Sequence, residues 1–332
     1  MASSGDHGED KSGTNQSTQP RSLEGVLRMA IEHLPEGQAP DASHPHLDQE
    51  RAEFLNKLFD EMHRDETKEM IALSQTVATK MDSEKEEDEE EVENCLDLLA
   101  ELCDTFDKAQ DFHKIGATKL LPQLMEHPRS EVRWRTFELI ANIVQHVPLN
   151  QKVLLDMGGV QKLLEAVDKD SSKLCRVKAL FALSCLAREN EDCLKVFVDN
   201  DGFSVLMRAM QSNVEKLQIK AAFMLQALLQ RPNNLRDTLH NMGMVHQLVG
   251  LLQMEHTITH EHFMSALVNL VSGHLACIQD CRQPDLRLRQ FLTDRQALIK
   301  DKPEFQEENA HCQELMKICF SSNHGNTSTV DR

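Results

Sequence analysis

Four short phrases recur along the chain at nearly constant intervals: IGATKLL at Gly116, MGGVQKLL at Gly158, DGFSVLM at Gly202 and MGMVHQLV at Gly243. Their glycines are 42, 44 and 41 residues apart. Long apolar stretches keep the same step. Ile140, Leu183, Leu225 and Leu267 are separated by 43, 42 and 42 residues, and Ile143, Leu186, Leu228 and Leu270 follow three positions later. Within each stretch the apolar residues recur at helical spacing, so the unit is helical and cannot bury its face alone. Stacking on its neighbours solves that problem.

This period predicts an all-α, right-handed armadillo-like superhelical solenoid of about four three-helix repeats with helical caps. Each unit reads as a helix after the glycine, a long helix, and a shorter helix returning to the next glycine. In the second unit these are about Gly158–Val167, Ser172–Arg188 and Glu191–Asp199. Glycine suits the bend because it tolerates a positive φ. The aromatic share of 4%, with one Trp and no Tyr, fits stacked helices better than a sandwich or barrel.

Around the repeats, residues 1–20 lack apolar periodicity and are predicted to be disordered. The 21–92 segment carries an amphipathic helix from Leu23 to Leu34, a linker from Pro35 to Pro45, and helical stretches around Phe54–Met62 and Met70–Met81. It closes on an acidic run, Glu84–Glu93, read as a solvated acidic helix start rather than a dedicated basic-partner site. Repeats occupy 93–272, beginning with an incomplete unit over Glu93–Ile115. A C-terminal helical cap follows over 273–320 (Leu286–Lys300 and Pro303–Phe320), then a flexible tail, 321–332.

A net charge of -18 disfavours nucleic-acid and membrane binding. No apolar run reaches the length of a membrane span, the first residues lack the pattern of a signal peptide, and the STVDR ending is neither a retention nor a prenylation signal. The expected setting is the cytosol, or the nucleus, and the expected state a monomer. The nine cysteines fall largely at apolar helix positions and read as small buried hydrophobes, Cys277 and Cys281 included.

The long helices carry LIANIV, LSCLA, LQALL and LVNLV. These resemble the third armadillo helix, where an A-L-x-N-L phrase sets an Asn on the concave face. Here that column is Asn142, Cys185, Ala227 and Asn269, so two of four keep Asn. Seven and four residues before it stand two further columns: Arg135, Lys178, Lys220 and His262, and then Glu138, Phe181, Phe223 and Ser265. Arg133 and Arg176 also correspond, 43 apart. The pattern reads as a cationic lip of a docking groove, with Phe181 and Phe223 as apolar anchors. Snorkelling basic ends and core phenylalanines are the alternatives.

RSLEGVLRMAI (Arg21–Ile31), RVKALFALSCLARE (Arg176–Glu189), DGFSVLMRAMQ (Asp201–Gln211), MGMVHQLV (Met242–Val249) and CFSS (Cys319–Ser322) resemble the cytosolic heat-shock-protein-70-binding proteins. These are armadillo-type nucleotide exchange factors of the 70-kDa heat-shock chaperone. The long N-terminal glycine tract of mammalian members is absent here. The resemblance implies that the concave face binds the chaperone's nucleotide-binding domain and loosens ADP, and that the N-terminal segment reaches its substrate site. Catalysis by side chains is not expected, nor is a cofactor. An armadillo adaptor that grips an extended peptide is the alternative; it would want an intact Asn ladder. An enzyme with a His-rich metal site is a third reading. His256, His260 and His262 include an H-x-x-x-H pair, but no third ligand follows, and a surface or partner-facing cluster is preferred to a metal site.

Overall fold

The computed structural model describes residues 66–231 and 235–321, all within one unit spanning Asp60–Arg332. The 1–20 tail, the Leu23–Leu34 helix, the linker, the Phe54–Met62 stretch and residues 322–332 lie outside them. Among the described residues there are helices and turns and no strand. In chain order the α-helices are α1 (residues 66–80), α2 (Glu86–Leu102), α3 (Phe106–Lys114), α4 (Leu121–Met125), α5 (Ser130–Val144), α6 (Pro148–Asp156), α7 (Gly159–Lys169), α8 (Lys173–Glu189) and α9 (Glu191–Asp199). Then come α10 (Gly202–Met210), α11 (Glu215–Leu229), α12 (Leu235–Asn241), α13 (Met244–Leu252), α14 (Thr259–Val271), α15 (Leu275–Cys281), α16 (Leu288–Ile299) and α17 (Gln306–Phe320).

The longer helices α2, α5, α8, α11, α14 and α17 pack each against the next as the rungs of one ladder, and the shorter helices back them. The column that sets the period supplies the seam. Ile140, Leu183, Leu225 and Leu267 are fully buried, as are Leu186, Leu228 and Leu270 three residues on. Burying such a side chain is worth about 1.5–3 kcal/mol. Capping fixes where the helices begin. Ser172 Oγ accepts from the Cys175 N–H at 3.4 Å to start α8, and Asn190 Oδ1 accepts from the Cys193 N–H at 3.0 Å to start α9. The acidic run becomes the first turns of α2, where carboxylates favour the helix N-terminus. Several of its members are also ion-paired: Lys80 holds Asp88 and Glu91, and Arg129 holds Glu89 and Glu93.

The bends correct one detail of the repeat. Gly116, Gly158 and Gly243 have left-handed backbones, with φ of 82°, 70° and 72°. In the third unit that place belongs to Asp201, with φ 56°, not to Gly202. Aspartate is one of the few side-chain-bearing residues found in this region. With Asp201 as the bend, the intervals become 42, 43 and 42, in step with the long helices. Gly202 has a different task, shared with Gly159. A Cβ on Gly202 would stand 2.4 Å from the Phe197 ring, and one on Gly159 would stand 2.4 Å from Leu154 Cγ. Both glycines let two helices meet at a tight corner.

Polar clamps supplement the apolar seam by reaching from one repeat to the next. Asn150 Nδ2 donates to the Ala109 carbonyl at 2.6 Å and to that of Ile143 at 2.8 Å. Asp170, whose side chain is only 6% exposed, takes a two-point bond from Arg133 with both distances 2.8 Å. Asp168 takes another from Arg208, at 2.7 and 2.9 Å. All nine cysteines are free and buried, and burial pushes the thiols of Cys103 and Cys277 up to about 12. These thiols are packing groups.

Gly202→Ala should lower stability in urea unfolding by about 1–3 kcal/mol, because the added methyl overpacks against Phe197. Gly250→Ala, in the last turn of α13 with open space at its Cβ, should raise it by up to about 1 kcal/mol. For Asp170, burial works to raise the pKa, but the bonds from Arg133 and the Ser172 N–H outweigh it and leave the carboxyl lowered. A lowered folded pKa stabilises above the ordinary carboxylate range and loses that contribution as pH falls through it. Thermal unfolding between pH 6 and 3 should therefore fall less steeply in Asp170→Asn than in the parent, from a lower starting melting temperature.

Candidate partner-binding groove

The ladder of long helices turns one side to the shorter helices, and on the open side the spacing of its rungs sets the spacing of its side chains. Leu180, Phe181, Ser184 and Arg188 of α8 face Lys220, Phe223, Met224, Gln226, Ala227 and Gln230 of α11 across an open trough of about 400 Å³. Phe181 is half-buried and packs on the core, while Phe223 is 51% exposed. One anchor is therefore partly core, and the other is presented to solvent.

The predicted cations do form a row, interleaved with rings. The Arg135 guanidinium lies 4.2 Å over the Trp134 ring, with Lys178 Nζ 5.6 Å from the same ring. Lys220 Nζ lies 4.7 Å over Phe181, and the Phe223 and His262 rings are 4.7 Å apart. Cations above aromatic faces are held in place by the ring quadrupole.

Their electrostatic states differ. Arg135 meets Asp97 at 2.9 Å, Glu131 at 2.9 Å and Glu93 at 3.4 Å. Lys178 meets Glu138 at 2.6 Å. Lys220 makes no ion pair with any described residue, and neither does Arg188, whose Nε donates to the Ser184 carbonyl at 3.2 Å. Partial burial, with Lys178 and Lys216 nearby, lowers the pKa of Lys220. Burial likewise lowers that of His262. The uncompensated charge of the row is thus concentrated at the α8–α11 trough, beside the exposed Phe223.

The remaining candidates belong to the scaffold. Arg133 is spent on Asp170 and on the His127 and Pro128 carbonyls, and Arg176 Nε donates to the Val167 carbonyl at 2.8 Å. Asn142 Nδ2 donates to the Ala100 carbonyl at 2.7 Å, and Asn269 Nδ2 to that of Ser265 at 2.8 Å. Each amide thus has one N–H tied to the scaffold, and the two other members of the column, Cys185 and Ala227, carry no amide at all.

Sequence reasoning passed over Trp134 and Arg188. Trp134 shares its column with Val177, which is buried, so the column reads as core. Arg188 stands in a last turn whose counterparts are Gln145, Gln230 and Ser272, and its only signal was charge. The expected surface histidine cluster is corrected at one member: His256 is exposed and His262 half-buried, but His260 is 3% exposed, its ring tilted against that of His256 at 4.7 Å. His256 in turn bonds the buried Glu308 at 3.1 Å, which Arg295 also holds. Burial works to raise the pKa of Glu308, and the bonds from Arg295 and His256 outweigh it, leaving it lowered. This network fastens α16 and α17 to the start of α14.

Stacked helical units with an open face of long helices define an armadillo-repeat protein. Solved structures with the same architecture agree. A designed armadillo repeat protein superposes with a TM-score of 0.59 at 20% identity, over 74% of this chain and 99% of its own. The profile of the SIL1/FES1/HPBP1 C-terminal domain matches residues 108–247. Hsp70-binding protein 1 of Mus musculus is 40% identical over 329 residues, covering 96% of this chain and 92% of that protein. The Homo sapiens protein of the same name is 40% identical over 312 residues, covering 91% and 86%. The Hsp70 nucleotide exchange factor FES1 of Eremothecium gossypii is 28% identical over 138 residues, 40% of this chain and 48% of its own. The chain belongs to the Hsp70-binding protein 1 family.

The two kinds of cation predict opposite outcomes for stability. Arg135→Glu sets a carboxylate among Glu93, Asp97 and Glu131 and should lower the melting temperature by several degrees. Lys220→Glu removes a cation from beside Lys178 and Lys216 and should leave the melting temperature unchanged or slightly raised.

Proposed function

We propose that this protein is a nucleotide exchange co-chaperone of a 70-kDa heat-shock chaperone, and that the α8–α11 trough contacts the chaperone's nucleotide-binding domain. Family membership supports the exchange activity: relatives over nearly the whole chain are named for binding Hsp70, and others for exchanging its nucleotide. The observation that supports the placement is the exposed Phe223 flanked by Lys220 and Arg188, two cations without carboxylate partners among the described residues. An aromatic anchor in a cationic rim is the composition of an interface hot spot that meets an acidic surface.

Exchange needs no catalytic side chain on this chain. A groove that fits the opened nucleotide-binding domain better than the closed one shifts that domain toward opening, and ADP escapes. By linkage, nucleotide must weaken binding of this protein by the same factor. The reading carries with it a cytosolic, monomeric, non-enzymatic protein that takes no cofactor. None of the helices described is long and apolar enough to cross a membrane. A peptide-gripping adaptor is the weaker reading, since Cys185 and Ala227 interrupt the Asn column and Asn142 and Asn269 each give one amide N–H to the scaffold.

Stopped-flow release of a fluorescent ADP from a 70-kDa heat-shock chaperone tests both parts. The parent should accelerate release, and Lys220→Glu combined with Phe223→Ala should reduce the acceleration at least about tenfold with the fold intact. Acceleration that survives the double change would move the site away from the trough. Its absence in the parent would overturn the exchange function.

A further inference from the structure

A second concavity lies outside the groove, where the last helices meet. Arg282, Gln283 and Pro284 from the end of α15, Arg287 and Arg289 at the start of α16, and Phe320 at the end of α17 line a pocket of about 520 Å³. None of its lining residues is a carboxylate. In a chain with 54 acidic and 36 basic residues, three arginines around one hollow without a counter-charge are a marked local excess.

All three arginines are exposed, and two of them are also held in place. Arg282 Nε is tied to the Cys319 carbonyl, which fixes the plane of its guanidinium and leaves the Nη groups available. Arg289 lies over the Phe320 ring at 6.0 Å. Arg287 makes no ion pair or side-chain hydrogen bond with a described residue. Its backbone is left-handed, at φ 46° and ψ 24°, a conformation that costs a residue with a Cβ on the order of 1–2 kcal/mol and that glycine would adopt freely. An arginine is nevertheless placed there, directly before the first turn of α16.

We propose that the Arg282–Arg287–Arg289 pocket binds the phosphate of a phosphoserine or phosphothreonine on a partner peptide. Guanidinium forks match phosphate oxygens two bonds at a time, and a dianion meets three cations better than a single carboxylate does. Clustered arginines are the usual means of reading a phosphorylated peptide. Phe320, half-buried at the pocket edge, offers a surface for the residue next to the phosphate. The inference is independent of the exchange function, which is assigned to other residues.

Isothermal titration of the full chain with the peptide Ala-Ala-phosphoSer-Ala-Ala, its Ser and Asp counterparts, and inorganic phosphate is the test. The phosphopeptide should bind at least about tenfold more tightly than the Ser peptide, with the preference shrinking as salt rises. Arg287→Gly should erase the preference while holding or raising the melting temperature, because it also relieves the left-handed backbone; Arg289→Gln should weaken it. Equal binding of the Asp peptide would overturn the phosphate assignment in favour of any acidic segment. Inorganic phosphate binding as tightly as the phosphopeptide would reduce the pocket to a free-anion site. No binding, or binding unchanged in Arg287→Gly, would overturn the proposal outright.

Discussion

Everything in this structure depends on the contact between one long helix and the next. A single repeat has too little apolar surface facing itself to be stable, and its long helix shows apolar residues to both neighbours. Ile140, Leu183, Leu225 and Leu267 form a seam that is buried only because each rung covers the one before. That seam fixes the rotation of every long helix about its axis. Its rotation decides which residues reach the open face, so the groove follows from the packing behind it.

The polar clamps then sort the charges. Arginine and asparagine side chains reaching across repeats satisfy carbonyls and carboxylates that the bends would leave bare. Arg133 and Asn142 serve this purpose, Arg176 does the same within its own repeat, and Arg135 and Lys178 are neutralised by acids on their own or the preceding rung. What remains unneutralised in the row is local: Lys220, with Arg188 across the trough and the exposed Phe223 between rungs. In a strongly acidic molecule a small uncompensated site of this kind can steer an acidic partner without a broad basic surface.

The C-terminal rungs show the same economy of contacts. Among the described residues α17 is the last helix of the stack and its sixth long rung, packed on α14 and tied through Glu308 to Arg295 of α16 and to His256 just before α14. Of the two histidines whose spacing resembles a ligand pair in the sequence, His256 holds a buried carboxylate, and His260 packs beside it. Two carboxylate–guanidinium bonds and a ring contact supplement the apolar seam here, in which Met264, Cys312 and Leu315 are fully buried.

The sequence by itself determined the class of fold, the period and the core. Apolar residues at helical spacing repeat every 42 or 43 positions, and the hydrophobicity that drives their burial is a property each residue carries with it. It also placed Arg135, Lys178, Lys220 and His262 in one column, because residues in register on equivalent helices share a face. Only the tertiary structure decided which of those cations are free. A cation's state depends on carboxylates some forty residues away, such as Asp97 for Arg135 and Glu138 for Lys178, and no single-helix pattern contains them. The same holds for the bend at Asp201 and for Trp134. A side chain's left-handed backbone or its exposure at a core-like position is set by what packs beside it, and the chain must fold before that neighbour exists.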